Sequence, residues 1–580
     1  QKNTTKYLFD YQKYCYRKNI FYIIKVKSIE KIKDNKSLYY HIKNRIINRL
    51  NNSPYLNTFI LGDKTYLSED IKRSYQENGI SHLFAISGMH ITLLSTMIEK
   101  ILKKKFSPES IFKITSIFLF SYLLLVGFSP SILRGVLFYF LFSLNRIYYF
   151  YISPKNLFLL ILSFTLLINP NYIFEVGFLY SYFISFALIT NQEYLSSKNY
   201  FISLFKVSYL SFLVSLPITL YSYEQVNILS IIYNLFFVPL ISLFVFPFTL
   251  LVFIMKPLEP IYSFIILILE KISIFLSHIS LGKILFKRLP FFVYVIYFFL
   301  LLFYLLKKKK QIIYVFLFFL SIHFFLPFFN QEEYLQMIDV GQGDSFLFHL
   351  KNQNILIDTG GLYKEGELFY NTLQPLLRSK GISEIQVLIL SHGDKDHIGE
   401  SLTLINHFKV GKVIFNCGEY NDLEQELMKV LKKKKIPYDT CIQSLNINNN
   451  IFYFLNTKEY DNENENSNVI YTEIKGYKFL FMGDAGIPKE KDLLREYNLP
   501  QIDVLKVGRH GSKTCSSKDF IQKINPKYSL ISAGKNNKFK HPNEEVLNTL
   551  SDSKIYRTDQ NGSVVLKIRN NQLKIETYSS

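Results

Sequence analysis

From Ile80 to Phe329 apolar runs follow one another with few charges between them, and this confines the first half of the chain to very few architectures. A backbone surrounded by hydrocarbon must satisfy its own hydrogen bonds, which a helix does within one segment and an open sheet does not. The runs lie near residues 80–101, 109–128, 130–148, 156–169, 172–190, 206–223, 227–255, 260–280, 290–306 and 311–329, so a polytopic α-helical membrane domain of about ten spans is expected. Residues 156–169 are short for a full crossing, and 227–255 are long enough to bend or re-enter. A soluble helical core is disfavoured because stretches such as Phe291–Leu306 have no polar face. With 17% aromatics and 54 phenylalanines in 580 residues, the chain is too long for one ordinary domain and too apolar for two soluble ones.

After residue 330 short apolar runs alternate with helical stretches such as Asp422–Lys434, the pattern of an α/β domain. Chemistry gathers where those runs end. Ile385–Leu390 leads into Ser391–Glu400, S-H-G-D-K-D-H-I-G-E, which carries His392, Asp394, Asp396 and His397 within six residues. A buried strand ending in such a loop converges two imidazoles and two carboxylates on one point, which suits a pair of divalent cations. Ile355–Gly361, I-L-I-D-T-G-G, ends in Asp358; Phe479–Gly486, F-L-F-M-G-D-A-G, ends in Asp484; Val504–Ser512, V-L-K-V-G-R-H-G-S, ends at His510. A solvated loop of mixed charge would not be matched by such pieces at the ends of other strands.

Together these pieces resemble the metallo-β-lactamase superfamily, whose signature is H-x-H-x-D-H, then an aspartate after a later strand, then a last histidine. The resemblance implies an αββα sandwich with two cations: His392, Asp394 and Asp484 on one, Asp396, His397 and His510 on the other, and Asp484 bridging. Asp358 would support the site from behind. His541, in K-H-P, would stabilise the transition state or protonate the leaving oxygen, or else merely decorate the chain before Pro542. Three departures matter. Asp394 stands where the signature has its second histidine, and this harder oxygen ligand favours manganese over zinc, with magnesium as an alternative. Before the Gly-Asp strand only Asn464, Ser467 and Asn468 stand where many members carry a histidine. Arg509 replaces the first of a frequent histidine pair, leaving His510 as ligand and Arg509 and Ser512 as candidates for a phosphate.

Further stretches extend the resemblance. Met337–Ser345, M-I-D-V-G-Q-G-D-S, contains a tight glycine turn that brings Asp344 toward a neighbouring loop. Ile531–Pro542 reads I-S-A-G-K-N-N-K-F-K-H-P, and Tyr556–Ser563 reads Y-R-T-D-Q-N-G-S. In the apolar half, Gly79–Ile91 is G-I-S-H-L-F-A-I-S-G-M-H-I. Leu61-Gly62-Asp63, S-I-L-R-G around Arg134, Asn169–Ser181, L-P-I-T-L-Y from Leu216 and N-L-F-F-V-P-L from Asn234 continue the match, with Leu179 where glutamine is common. The whole resembles the ComEC family of competence proteins, inner-membrane DNA channels of natural transformation. It implies a basic region at 1–78, related to the end of an oligonucleotide-binding barrel, a channel domain at 79–329 and a hydrolase domain at 330–580. It also implies a bacterial inner-membrane location, import of single-stranded DNA and nucleolytic removal of the other strand. The partners implied are DNA, membrane lipid, a surface or periplasmic DNA receptor and a cytoplasmic ATP-driven helicase. The alternatives are a membrane-anchored hydrolase of another phosphoester and a channel with an inactive hydrolase domain.

Charge orients these expectations. Residues 331–580 hold 32 basic and 32 acidic side chains, so the net charge of +21 lies entirely in residues 1–330. This suits a polyanion crossing a cationic channel, although lysine-rich cytoplasmic connections alone would produce the same excess. Lysines at 103–105, 155, 198, 206, 256 and 307–310, with Arg146, fall in alternate connections, which puts these in the cytoplasm and the hydrolase domain outside; Lys283, Lys287 and Arg288 are exceptions. Ionisable groups within the apolar runs, His82, His90, Arg134 and Glu175, are candidates to line a pore or to pack helices, with Arg134 and Glu175 a potential pair. If the hydrolase domain is outside the cytoplasm, Cys417 and Cys441 can form a disulfide. The sequence opens at Gln1 with no signal peptide, so an upstream segment is expected to be missing. Without a G-x-x-x-x-G-K-[ST] loop, energy for transport must come from elsewhere.

Overall fold

The computed structural model describes residues 3–578 apart from 25, 31–36, 330–331, 362–363, 365 and 570–571. It comprises two units: Tyr16–Ile284 with Leu289–Leu320, and Gln1–Cys15 with Leu285–Arg288 and Ser321–Ser580.

Helix starts in the first unit follow a local rule. Serine followed by proline opens Pro108–Val126, Pro130–Ile147 and Pro154–Ile168. The Ser107 and Ser153 hydroxyls accept from the backbone N–H of Ser110 and Asn156, while proline takes a position whose N–H has no helical acceptor anyway. Each of the ten apolar runs contains a helix, but they are unequal. Among the described residues five are long and apolar enough to cross a membrane: Pro108–Val126, Tyr200–Tyr223, Ser230–Ile254, Lys256–Ser277 and Lys310–Phe329. Pro154–Ile168, Val176–Thr190 and Phe291–Lys307 are apolar but shorter. At about 1.5 Å per residue a 15-residue helix such as Pro154–Ile168 falls short of a hydrocarbon layer of roughly 30 Å. Length and composition alone therefore qualify five helices as crossings among the described residues, against the expected ten or so.

The long run at 227–255 becomes Ser230–Ile254, interrupted by a π-helical segment at Leu240–Val245. Pro239 and Pro247 bracket that segment, and each removes a backbone donor from the helical ladder, which forces a local change of pitch.

The second unit contains two sheets. Its strands are β1 (Glu333–Met337), β2 (Phe346–Leu350), β3 (Gln353–Ile357), β4 (Glu384–Ile389), β5 (Lys409–Phe415), β6 (Tyr438–Thr440), β7 (Ser444–Ile447), β8 (Asn450–Phe454), β9 (Ile470–Ile474), β10 (Tyr477–Phe481), β11 (Val504–Lys506), β12 (Tyr528–Ile531), β13 (Lys554–Arg557), β14 (Val564–Arg569) and β15 (Gln572–Thr577). One sheet runs β15-β14-β1-β2-β3-β4-β5-β6, the other β13-β12-β11-β10-β9-β8-β7. Alternation assigns the faces. Phe346, Phe348, Ile355, Ile357, Phe452, Phe479 and Phe481 fill one buried cluster between the sheets. Leu347, Leu356 and Leu388, one residue out of phase, pack instead with Leu376, Leu404 and Leu431 of the helices Gln374–Ser379, Ser401–His407 and Asp422–Lys434. On the other sheet Leu480 and Leu505 pack with Leu493, Phe520 and Val546 of Ile487–Glu496, Lys518–Ile524 and Glu544–Thr549. The result is helix, sheet, sheet, helix. Cys417 and Cys441 form a disulfide that ties the end of β5 to the end of β6.

Candidate metal centre

Strand direction gathers the site. β3, β4 and β5 are parallel, as are β10, β11, β12 and β13, so their C-terminal ends share an edge of each sheet. Asp358 follows β3, His392 follows β4, Asp484 follows β10 and His510 follows β11. Ligands emerging beyond the carboxyl ends of parallel strands converge as they do in other α/β folds. The G-Q-G-D-S turn closes the cluster from β1. Gly343 has φ +127°, and a Cβ there would lie 2.1 Å from the Asp396 carbonyl oxygen, so only glycine lets the turn approach. Asp358, Arg509 and His510 also hold positive φ, backbone strain of the kind that accumulates at functional sites.

The candidate ligand atoms are close, and all but those of Asp396 and Asp394 belong to buried side chains. His397 Nε2 lies 3.3 Å from Asp484 Oδ1, and His510 Nε2 lies 3.3 Å from Asp396 Oδ2 and 3.7 Å from Asp484 Oδ1. Potential ligand atoms of His392, His397 and Asp484 lie within 4.8 Å of one another, as do those of Asp396, His397 and His510. Asp394 sits outside both groups, 45% exposed, with Oδ2 3.4 Å from His392 Nε2. His397 is thus the residue common to these two groups, while Asp394 approaches the cluster through His392.

The histidines are oriented from behind. Nδ1 of His397 donates to Asp358 Oδ2 at 2.9 Å, and the Ser391 hydroxyl donates to the same oxygen at 2.6 Å. Nδ1 of His510 donates to the Ser532 carbonyl at 2.8 Å. These bonds turn Nε2 of each ring into the cluster. There, Nε2 of His392, His397 and His510 and Oδ1 of Asp484 are buried without a hydrogen-bond partner. Four orphaned ligand atoms at one point are costly unless a cation joins them, so these residues fit divalent metal. The charges agree. Burial alone would lower His510, yet Asp484, Asp344 and Asp396 raise it to about 10. Burial raises Asp484, but His510, His397 and Lys506 outweigh it and hold the carboxyl far below the usual range.

Lys506 is the functional residue that sequence reasoning passed over. Its side chain is 1% exposed; its ammonium donates to Asp344 and, at 2.6 Å, to the Gly483 carbonyl, and it lies 3.8 Å from Asp484 Oδ1. Asp344, which the glycine turn carries into the cluster, sits between Lys506 and His510, whose Nδ1 is 3.5 Å away. The available signal was a lysine within the otherwise apolar run V-L-K-V, whose alternation turns it inward.

Arg509 is committed elsewhere. Its guanidinium donates to Glu465 at 3.0 Å, to the Asp484 carbonyl at 2.9 Å and to Thr514 at 3.2 Å. Glu465 in turn accepts from the Gly486 N–H at 2.9 Å, so the pair pins the loop that carries Asp484. Ser512 bonds Thr514 within its own turn. His541 is half-buried, and burial, followed by the nearby charge of His510, lowers its imidazole. Asn468 bonds the Leu390 carbonyl through its side chain and does not replace the absent histidine.

In the helical unit, His90 accepts from the Ser87 N–H at 3.2 Å and packs against Phe246, while His82 is exposed. Arg134 bonds the hydroxyls of Ser181 at 2.8 Å and Ser185 at 2.5 Å, and no carboxylate lies within ion-pair distance of it among the described residues. Glu175 is not its partner; that carboxylate pairs with Lys18 at 2.6 Å. The glycines of the two motifs explain their spacing. A Cβ on Gly135 would lie 3.1 Å from the Gly88 Cα, and one on Gly88 would lie 2.7 Å from Arg134 Nη2, so helices Gly88–Leu102 and Pro130–Ile147 cross closely only without side chains there.

Residues 59–311 match the competence protein family and residues 338–535 the metallo-β-lactamase superfamily. ComE operon protein 3 of Bacillus subtilis is 28% identical across 98% of this chain and 79% of its own length. Recombination protein 2 of Haemophilus influenzae is 24% identical with the same shares, and competence protein ComA of Neisseria gonorrhoeae is 30% identical over 40% of this chain and 32% of its own. The chain belongs to the ComEC family of competence proteins. This ComEC-family chain therefore joins apolar helices able to span a membrane to a metallo-β-lactamase domain, with Arg134 within the first match and the ligand cluster within the second.

Proposed function

We propose that the chain is a multi-pass protein of the bacterial inner membrane that imports single-stranded DNA through residues 79–329, while residues 330–580, outside the cytoplasm, hydrolyse the strand left behind. The observation that carries the hydrolytic half is the convergence of orphaned Nε2 atoms from His392, His397 and His510 with Oδ1 of Asp484. His392, Asp396, His397, Asp484 and His510 would hold two divalent cations, with Asp394 completing the set from the rim beside His392, and manganese is favoured because carboxylates supply three of these six residues. Such cations, when bound, supply Lewis acidity toward a phosphodiester and a water acidic enough to attack it at neutral pH.

The chain's own residues do the remaining work. Asp358 and Ser532 fix the Nδ1–H tautomers of His397 and His510, so each Nε2 lone pair faces inward. Lys506 offsets the carboxylates of Asp344 and Asp484 from behind, and Arg509 keeps the Asp484 loop in register through Glu465. His541, whose imidazole is held below its ordinary value, takes up a proton from the medium and passes it to the leaving oxygen. For transport, the Arg134 guanidinium, held by two serine hydroxyls with no carboxylate within ion-pair distance among the described residues, supports a path for a polyanion. The Cys417–Cys441 disulfide supports a domain in an oxidising compartment.

Purified full-length protein in nanodiscs tests the hydrolytic half. Manganese should support cleavage of single-stranded or duplex DNA better than zinc at matched free metal, and Asp396→Ala should lower the rate about 100-fold or more by removing a ligand. Absence of any metal-dependent cleavage by the wild type would favour a channel with an inactive domain. Equal turnover with zinc would defeat the argument from Asp394.

A further inference from the structure

We infer that Lys287, Lys380 and Lys567 form a binding site for the phosphate of an anionic lipid headgroup at the edge of the β15-β14-β1-β2 sheet.

Register builds one side of it. Lys567 on β14 stands opposite Tyr334 on β1, which stands opposite His349 on β2, so the three project from one face. The buried Tyr334 ring stacks on His349 with centroids 5.0 Å apart, and the Lys380 ammonium lies 4.0 Å over that ring. Lys380 caps the C-terminus of Gln374–Ser379 and is followed by Gly381. A Cβ on Gly381 would lie 3.1 Å from the Lys287 Cβ and 3.0 Å from Pro327 Cγ, so the glycine brings the Lys287 segment against Lys380. Lys567 is paired with Glu576 at 2.9 Å, whereas neither Lys287 nor Lys380 has a carboxylate within ion-pair distance among the described residues. Burial and the neighbouring ammoniums of Lys567, Lys287 and Lys6 pull Lys380 down to about 7. An uncompensated cluster of this kind gains most from an anion that brings its own negative charge.

The surroundings select an amphipathic anion. Lys287 lies four residues before Phe291, where the apolar helix Phe291–Lys307 begins, and Pro327 lies in the last turn of Lys310–Phe329, a candidate membrane crossing. Lysines at that depth meet the headgroup layer. Next to them Phe286 packs on Phe324, while Phe325 and Phe328 are 50% and 65% exposed, an apolar surface that suits an acyl chain and not a nucleic-acid backbone.

The test uses the full chain in nanodiscs of phosphatidylcholine alone or with a minority of phosphatidylglycerol, and counts retained lipid by native mass spectrometry. Wild type should retain phosphatidylglycerol selectively, and Lys287→Gln/Lys380→Met should lower that retention about tenfold, from two lost charges near the surface. Lys432→Gln/Lys433→Gln, the same charge change on an exposed helix end, should leave it intact, and Lys380→Arg should restore it beside Lys287→Gln. Thermal unfolding of each variant separates loss of binding from loss of fold. Unchanged selectivity in the double variant overturns the site. So does stabilisation by inorganic phosphate without lipid selectivity, or displacement of the lipid by a short DNA strand.

Discussion

At the scale of single residues, the buried ion pair between Asp344 and Lys506 strongly constrains the metallo-β-lactamase unit. Both side chains are almost fully buried, so removing one leaves a charge in a medium that solvates it poorly. Lys506→Met should therefore destabilise this unit by roughly 3 kcal/mol, and Asp344→Asn added to it should recover part of that loss. Chemical unfolding of the metal-free protein measures both; a single variant as stable as the wild type would remove Lys506 from the supporting role. The pH dependence has a definite sign. Burial raises the Asp344 carboxyl, but Lys506 and His510 outweigh it and bring it down to about 2, below its unfolded value. A depressed acid stabilises above its unfolded value, so this contribution is present at neutral pH and is lost as pH falls through the aspartate range toward 2. The Lys506→Met variant should lose less stability over that interval than the wild type.

At the scale of elements, the crossing of Gly88–Leu102 with Pro130–Ile147 positions Arg134 against Ser181 and Ser185 of Val176–Thr190. Under the proposed function, hydrolysis and permeation rest on different elements. Arg134→Leu should abolish uptake of labelled single-stranded DNA while leaving cleavage unchanged, and Asp396→Ala should do the reverse. Both need paired uptake and cleavage assays with protein levels checked, since transformation frequency merges the two steps. Normal import by a correctly inserted Arg134→Leu protein would reduce this arginine to a packing residue. Gly135→Val should damage insertion or folding whichever reading holds, because its side chain would meet Gly88 and Ile91 at contact distances that helix packing does not tolerate.

At the scale of the whole molecule, topology is the main consequence of the proposal. Cysteine introduced at Asn450 should react with an impermeant thiol reagent added to intact cells, and cysteine at Lys309 should not. The opposite pattern would put the hydrolase unit in the cytoplasm and leave the Cys417–Cys441 disulfide unexplained. Much of this architecture was legible in advance. The apolar runs foretold helices because hydrocarbon admits little else, and the Asp or His at the end of each later run foretold the cluster because parallel strands carry their ends to a common edge. The number of crossings was less legible, since hydropathy sets the centre of a run while caps and prolines set its length. Partners across the fold were not legible. Glu175 meets Lys18 and not Arg134, Arg509 meets Glu465 and not an open phosphate position, and Lys380 meets lysines far from it in the chain.

The sequence by itself determined the two-part organisation, the helical half, the αββα half and the candidate ligand residues. Periodicity, hydropathy and short motifs are local, and each of these conclusions needs only neighbours along the chain. Tertiary structure alone decided that His397 is shared by both ligand groups, that Asp394 stays at the rim and that Lys506 neutralises the centre from behind. Electrostatic pairing and desolvation depend on distance through space, and residues such as Asp344 and Lys506, far apart in sequence, acquire that distance only when the two sheets close on each other.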